Sequence, residues 1–91
     1  MRNRIVFVPS GEDRCWIGMH STERPIDGSY DAEFFMSSRD CVDVVEELEY
    51  FDLARELKDA LRRSRPLEHD MDQGGLEKLQ IAFAGVDVNE G

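Results

Sequence analysis

The sequence is poor in long apolar runs, in cysteine and in positive charge. The longest apolar run near its start is the short stretch "IVFV". A membrane span needs roughly 18 apolar residues, and the core of a signal peptide needs about 7–15. The lack of such runs predicts a cytoplasmic protein that does not enter a membrane.

Only two cysteines are present, Cys15 and Cys41, and neither belongs to a CxxC pair. Without an export signal, the simplest expectation is two buried free thiols, with a disulfide between them left open as the alternative. The two histidines, His20 and His69, have no metal-site spacing with each other or with the cysteines. We therefore expect neither a metal site nor a cofactor.

Positive charge is scarce, because 11 basic residues face 20 acidic ones and leave a net charge of −9. The imbalance is concentrated in residues 31–59, which carry ten acids and three bases. Nucleic acids and anionic membranes both favour clusters of Lys and Arg, so no direct binding to either is expected. A basic protein is the partner that this charge favours.

What the sequence does contain is enough for one folded domain, since 41% of its 91 residues are hydrophobic and 34% are charged. Residues 4–8 and 14–20 are short, largely apolar segments and predict two strands. Residues 30–36 predict a third strand, because apolar residues alternate there: Tyr30, Ala32, Phe34 and Met36. Short connections favour an antiparallel arrangement.

The next segment predicts two helices. Residues 37–40 fit a capping box, so Ser37 should begin a helix. The apolar residues at 41–48 centre on one side of this helix, whereas those at 50–61 centre on nearly the opposite side. One straight helix cannot bury both stripes against one sheet. We predict a break near residues 49–52, and a single long helix covered on both sides is the alternative.

The last third of the chain is less regular. Residues 67–75 predict a loop, and residues 76–84 suit a helix or a strand. Helix is favoured because Gly85 resembles the glycine that follows a helix end. The expected fold is a single α+β domain over residues 1–91, with a small three-stranded antiparallel sheet and two or three helices on one face. The expected order is β-β-β-α-α-α, and the last element is a strand in the alternative.

The acids of the first predicted helix form the strongest candidate site. Its outer face has no Lys or Arg among the acids, whereas the acids of the second helix are interspersed with arginines at i,i+4 spacing. Eight acids lie along about 30 Å of helix. Their mean spacing along the axis is therefore close to the spacing of phosphates along one DNA strand. The candidate partner-binding residues are Asp40, Asp43, Glu46, Glu47 and Glu49. An acidic face that serves only solubility is the alternative.

Two aromatic residues lie off the apolar faces of their predicted elements. Phe35 shares the strand face of Asp31 and Glu33, and Phe51 lies outside the stripe of the second helix. Burial in the core is the expectation for both residues. Exposure beside acids would instead suit the centre of a protein interface.

The sequence contains no recognisable nucleophile–base pair, so no enzymatic activity is expected. We expect an inhibitor or regulator that docks its acidic surface on a basic, nucleic-acid-binding partner. In size and charge the chain resembles the small acidic anti-restriction and anti-CRISPR proteins, phage-defence antagonists that act in a DNA-mimic style. The alternative is a self-associating domain, for example a homodimer, whose acidic surface serves only solubility.

Overall fold

The computed structural model describes residues 3–20 and 32–90. Strands β1 (Asn3–Ser10) and β2 (Arg14–His20) pair as an antiparallel hairpin, as the sequence predicts. Their turn begins at Gly11, whose φ of 76° is a left-handed conformation that glycine adopts without steric cost. The hairpin sets the register of the sheet, with Phe7 opposite Ile17.

Strand β3 (Ala32–Ser37) pairs antiparallel with β2 and confirms the third predicted strand. Tyr30 and Asp31, which the prediction includes in this strand, and the preceding residues 21–29 lie outside the described residues. Side chains alternate across the sheet, so that one face is apolar. The fully buried side chains of β1 and β2 on that face are Ile5, Phe7, Cys15, Ile17 and Met19.

The sheet has four strands rather than the predicted three, in the order β3-β2-β1-β4. Strand β4 (Leu67–Met71) pairs antiparallel with β1, so the prediction of a loop is wrong for these residues. Its apolar positions alternate with Glu68 and Asp70, which is too polar a pattern to stand out locally. Arg4 of β1 donates to Glu68 at 2.9 Å and to Asp70 at 3.3 Å. This polar segment is therefore a strand because it pairs with β1.

Helices α1 (Ser38–Glu47) and α2 (Phe51–Arg63) confirm the predicted break, because residues 48–50 are not helical. The break allows both helices to reach one core, with Val45 of α1 and Leu57 of α2 each fully buried. A single straight helix would have left one of the two apolar stripes in water.

Helix α3 (Gln73–Glu90) confirms the helical alternative for residues 76–84. The helix starts within the predicted loop, where the Asp72 carboxylate accepts from the backbone N–H of Gly75 at 2.7 Å. Gly85 lies inside α3 and lacks the left-handed φ of a helix-ending glycine, so that prediction is wrong. Residues beyond Gly85 continue the helix instead.

One cluster of buried side chains joins the sheet to all three helices, which pack on its apolar face. Phe83 of α3 lies at its centre. Its ring centroid is 6.3 Å from that of Phe7 on β1 and 6.0 Å from that of Phe34 on β3. The α+β class with helices on one face is therefore as predicted, and the packing turns the acidic side of α1 away from the sheet.

Candidate partner-binding surface

Helix α1 is fixed at its start by a side-chain cap and along its length by burial. The Ser37 hydroxyl accepts from the backbone N–H of Asp40 at 3.1 Å, which confirms the predicted cap. The buried residues of α1 are Cys41, Val44 and Val45. Asp43 and Glu47 therefore project from the other side of the helix, and both are exposed.

Asp43 and Glu47 are acids without a cation. They lie one helical turn apart, and among the described residues neither forms an ion pair. Like charges at this spacing cost a few tenths of a kcal/mol. Glu47 is also the last residue of α1, whose final turn contains no basic residue. Because a helix carries partial negative charge at its C-terminus, an acid at that position is unfavourable.

Asp40 and Glu46 are less available than the sequence predicts. Lys58 of α2 donates to Glu46 at 2.8 Å, so this face gains a cation at Glu46 although α1 has no Lys or Arg of its own among its acids. The cation comes from the neighbouring helix, which the pattern of α1 alone cannot reveal. Asp40 is half-buried in the first turn of α1, where a carboxylate suits the positive end of the helix dipole.

Glu49 lies in the connection between α1 and α2 in a left-handed conformation, with φ 66°. Its N–H donates to the Glu46 carbonyl at 2.9 Å, and the N–H of Tyr50 donates to the Val45 carbonyl at 3.2 Å. These two bonds form a Schellman motif, in which glycine is the usual left-handed residue. Glu49 therefore holds an exposed carboxylate where the backbone favours glycine.

Phe51, the first residue of α2, is 63% exposed beside Glu49. A shallow depression of about 310 Å³ is lined by Glu49, Tyr50, Phe51, Asp52, Leu53 and His69. The expected burial of Phe51 is wrong, and so is that of Phe35, which is 47% exposed on the sheet. Each residue lies off the apolar face of its strand or helix, and that position in the sequence already indicates exposure. We call Asp43, Glu47, Glu49 and Phe51 the junction surface.

The acids of α2 differ from those of the junction surface, because basic residues of the same helix offset their negative charge. Arg55 donates to Asp52 at 2.9 Å. Asp59 accepts from both Arg62 and Arg63, and the hydrogen bond from Arg62 is the main reason that the pKa of Asp59 lies below its ordinary value. The sequence predicts this internal compensation at i,i+4 spacing, although the observed pair of Arg55 and Asp52 is at i,i+3.

The two cysteines meet in the core. Cys15 of β2 and Cys41 of α1 are both fully buried and free, as predicted. The hydrogen bond between the thiols lowers the pKa of Cys15 and raises that of Cys41, and burial raises the Cys41 pKa further. The pair holds α1 against the sheet on the side opposite its acids.

Among the side chains that the structure describes, no three His, Cys, Asp or Glu residues lie close enough together to hold a metal ion. Within the same part of the chain, no helix is both long enough and apolar enough to cross a membrane. No family model, curated protein or solved structure matches the chain. The junction surface is therefore the feature from which we infer a function.

Replacing Glu49 by glycine should raise the free energy of unfolding by about 0.5–1 kcal/mol, because glycine adopts positive φ without a clash between its side chain and the backbone. Ser64, which ends α2 with φ 54°, is the matched position, and Ser64→Gly should give a similar gain. Urea unfolding of both variants measures the effect. A loss of stability in either variant would contradict the strain assigned to its backbone.

Replacing Glu47 by lysine should raise the free energy of unfolding by about 0.5–1 kcal/mol. The change removes an acid from the helix C-terminus and gives Asp43 a cation at i,i+4. Glu12→Lys, at an exposed position outside the helices, makes the same change in net charge and is the control. Equal unfolding midpoints for the two variants would show that net charge alone, rather than the place of Glu47, determines the effect.

Proposed function

We propose that the protein is a non-enzymatic binding module that docks the junction surface on a basic, nucleic-acid-binding protein. One observation carries the proposal. Asp43, Glu47 and Glu49 are exposed, have no ion pair among the described residues, and occupy positions where an acid lowers stability. Local choices that oppose the fold are expected at functional sites.

A surface that served only solubility would not need this arrangement. Exposed acids aid solubility wherever they lie, and α2 carries Asp52 and Asp59 at a lower cost by pairing them with arginines. Asp43 and Glu47 of α1, and Glu49 in the connection that follows it, lack that compensation among the described residues. A partner that brings its own cations would supply it, and the acids would gain ion pairs only in the complex.

The spacing of the acids suits a protein that normally contacts phosphates. Asp43 and Glu47 are four residues apart, which is a rise of about 6 Å along a helix. The spacing of neighbouring phosphates on one DNA strand is of the same order. Lys and Arg side chains placed to contact neighbouring phosphates can therefore reach both carboxylates. Phe51 adds an exposed aromatic ring beside them, of the kind that anchors protein interfaces.

Such a module would act as an inhibitor or regulator, because it occupies the surface that its partner uses for nucleic acid. The likeness to anti-restriction and anti-CRISPR proteins rests on size and charge and supports the class of action rather than a particular target. We place the protein in the cytoplasm. Two free, buried thiols at Cys15 and Cys41 are in keeping with a reducing compartment.

Competition with nucleic acid tests the proposal. Proteins retained from a cell lysate by the immobilised wild type, but not by an immobilised Glu47→Lys/Glu49→Lys variant, are purified and titrated with a DNA duplex and an RNA of matched length. We expect a retained protein to bind one of these nucleic acids and to release it as the wild type is added. A partner that binds nucleic acid and this protein at the same time would contradict the proposal, as would one with no affinity for nucleic acid.

A further inference from the structure

The shallow depression between α1 and α2 combines an apolar lining with a carboxylate. Its volume is about 310 Å³, and its lining includes the exposed ring of Phe51 and the buried Leu53. Glu49 also lines it, and among the described residues this carboxylate forms no ion pair. The depression therefore offers an aromatic surface and a charged acceptor to a group from outside the chain.

The sheet of the same molecule shows how an exposed phenylalanine of this chain contacts a cation. The guanidinium carbon of Arg14 lies 5.7 Å from the centroid of the Phe35 ring. At this distance a cation is attracted by the negative face of an aromatic ring. Phe51 is more exposed than Phe35, yet within the described part of the chain no Lys or Arg lies over its ring. Its ring face is therefore open to a cation that the chain itself does not supply.

We propose that this depression binds an arginine side chain of the basic partner, with the guanidinium stacked on Phe51 and hydrogen-bonded to Glu49. This inference rests on the proposed function, because it names the chemical group through which that partner is recognised. Arginine suits the site better than lysine does. Its guanidinium is planar and more weakly hydrated than an ammonium, and it can stack on a ring while donating two N–H groups to one carboxylate.

The charges around the depression favour a cation as the occupant. Asp52 and Arg55 form an ion pair at 2.9 Å, so their charges offset one another. His69 lies 3.5 Å from Glu56, which offsets any positive charge on the imidazole ring. Glu49 is left without compensation, and its full negative charge exceeds the partial positive charge at the start of α2. The depression therefore favours a cation over an anion.

Small amides test this contact apart from the rest of an interface. The wild type is titrated with acetyl-arginine amide and, separately, with acetyl-lysine amide, while the NMR signals of Phe51 and Leu53 are followed. We expect the arginine amide to shift these signals with a dissociation constant in the millimolar range. The lysine amide should bind about three- to fivefold more weakly, because an ammonium stacks less well on the ring.

Three variants assign the contact to its residues. Phe51→Leu keeps an apolar side chain but removes the ring, so it should weaken the arginine amide about three- to fivefold and abolish its advantage over the lysine amide. Glu49→Gln should weaken both amides about two- to fivefold, since both lose an ion pair. Phe35→Leu changes the other exposed phenylalanine and should leave both affinities unchanged. Melting curves establish that each variant is folded.

The possible results separate this inference from the proposed function. An arginine amide that shifts no signal at the depression, or that binds no more tightly than the lysine amide, would overturn the arginine site even if the captured partner releases its nucleic acid. An advantage of arginine that persists in Phe51→Leu would overturn it as well. Failure of the proposed function has a different result: the captured partner keeps its nucleic acid as the protein is added, while the arginine amide still binds at Phe51.

Discussion

Replacing Phe83 by alanine should lower the free energy of unfolding by about 3–5 kcal/mol. The side chain is fully buried, and its ring contacts those of Phe7 and Phe34. Removal leaves a cavity between α3 and two strands of the sheet, which the rigid strands cannot close. A domain of this size has about 5–15 kcal/mol of stability in total, so the variant should retain only a part of it.

Urea unfolding followed by circular dichroism measures this loss. Ile81→Ala is the matched control, because it removes a large side chain from the same helix at a position that is 75% exposed. The control should change stability by less than about 0.5 kcal/mol. Both variants are measured at the same protein concentration. Equal losses in the two variants would contradict the place of Phe83 at the centre of the core.

The elements that the sequence predicts correctly are those whose signal is local. The cap at Ser37 needs only a hydroxyl and a backbone N–H three residues on, and both are visible in the sequence. The break between α1 and α2 follows from the change in phase of the apolar stripe. Burial of Val45 and Leu57 in the same core confirms the reason for the break as well as its place.

The elements that the sequence misses depend on contacts distant in the chain. β4 has the period of a strand, yet its acids look like loop residues until Arg4 of β1 lies beside them. Gly85 resembles a helix end because glycine is common there, but nothing local distinguishes an end from an exposed interior position. For β4 the sequence does not show the pairing with β1, and for Gly85 it does not show that the helix continues past an exposed position.

The candidate site also combines features that the sequence shows locally with features that depend on contacts distant in the chain. Clustering of acids on α1 is readable from the sequence, and so is their separation from the compensated acids of α2. The sequence cannot show that Lys58 reaches Glu46 from another helix. Nor can it show that Glu49 adopts a left-handed backbone, because that conformation follows from how α1 ends. Of the five candidate acids, Asp43, Glu47 and Glu49 are exposed without an ion pair among the described residues, and Phe51 is exposed beside them.

Reversing Asp43, Glu47 and Glu49 to lysine together should lower the affinity for the captured partner about 100-fold or more. Each reversal replaces an attraction to a partner cation by a repulsion. Binding of the wild type should weaken with salt, because the screening length falls from about 10 Å at 0.1 M to about 3 Å at 1 M. The variant should lose most of this salt dependence along with its affinity.

The matched control reverses three exposed acids that already have partners. Glu56 lies 3.5 Å from His69, Asp59 accepts from Arg62 and Arg63, and Glu68 lies 2.9 Å from Arg4. Their reversal to lysine changes the net charge by the same amount as the junction variant. It should reduce affinity by less than about tenfold, because long-range attraction falls while the contacts remain.

Isothermal titration of the captured partner with the wild type, the junction variant and the control variant at one ionic strength tests the central claim most directly. Melting curves of the three proteins accompany it and should show that each is folded. We expect a loss of affinity at least about ten times greater for the junction variant than for the control. Equal losses, or unchanged affinity in a folded junction variant, would show that Asp43, Glu47 and Glu49 do not form the binding surface.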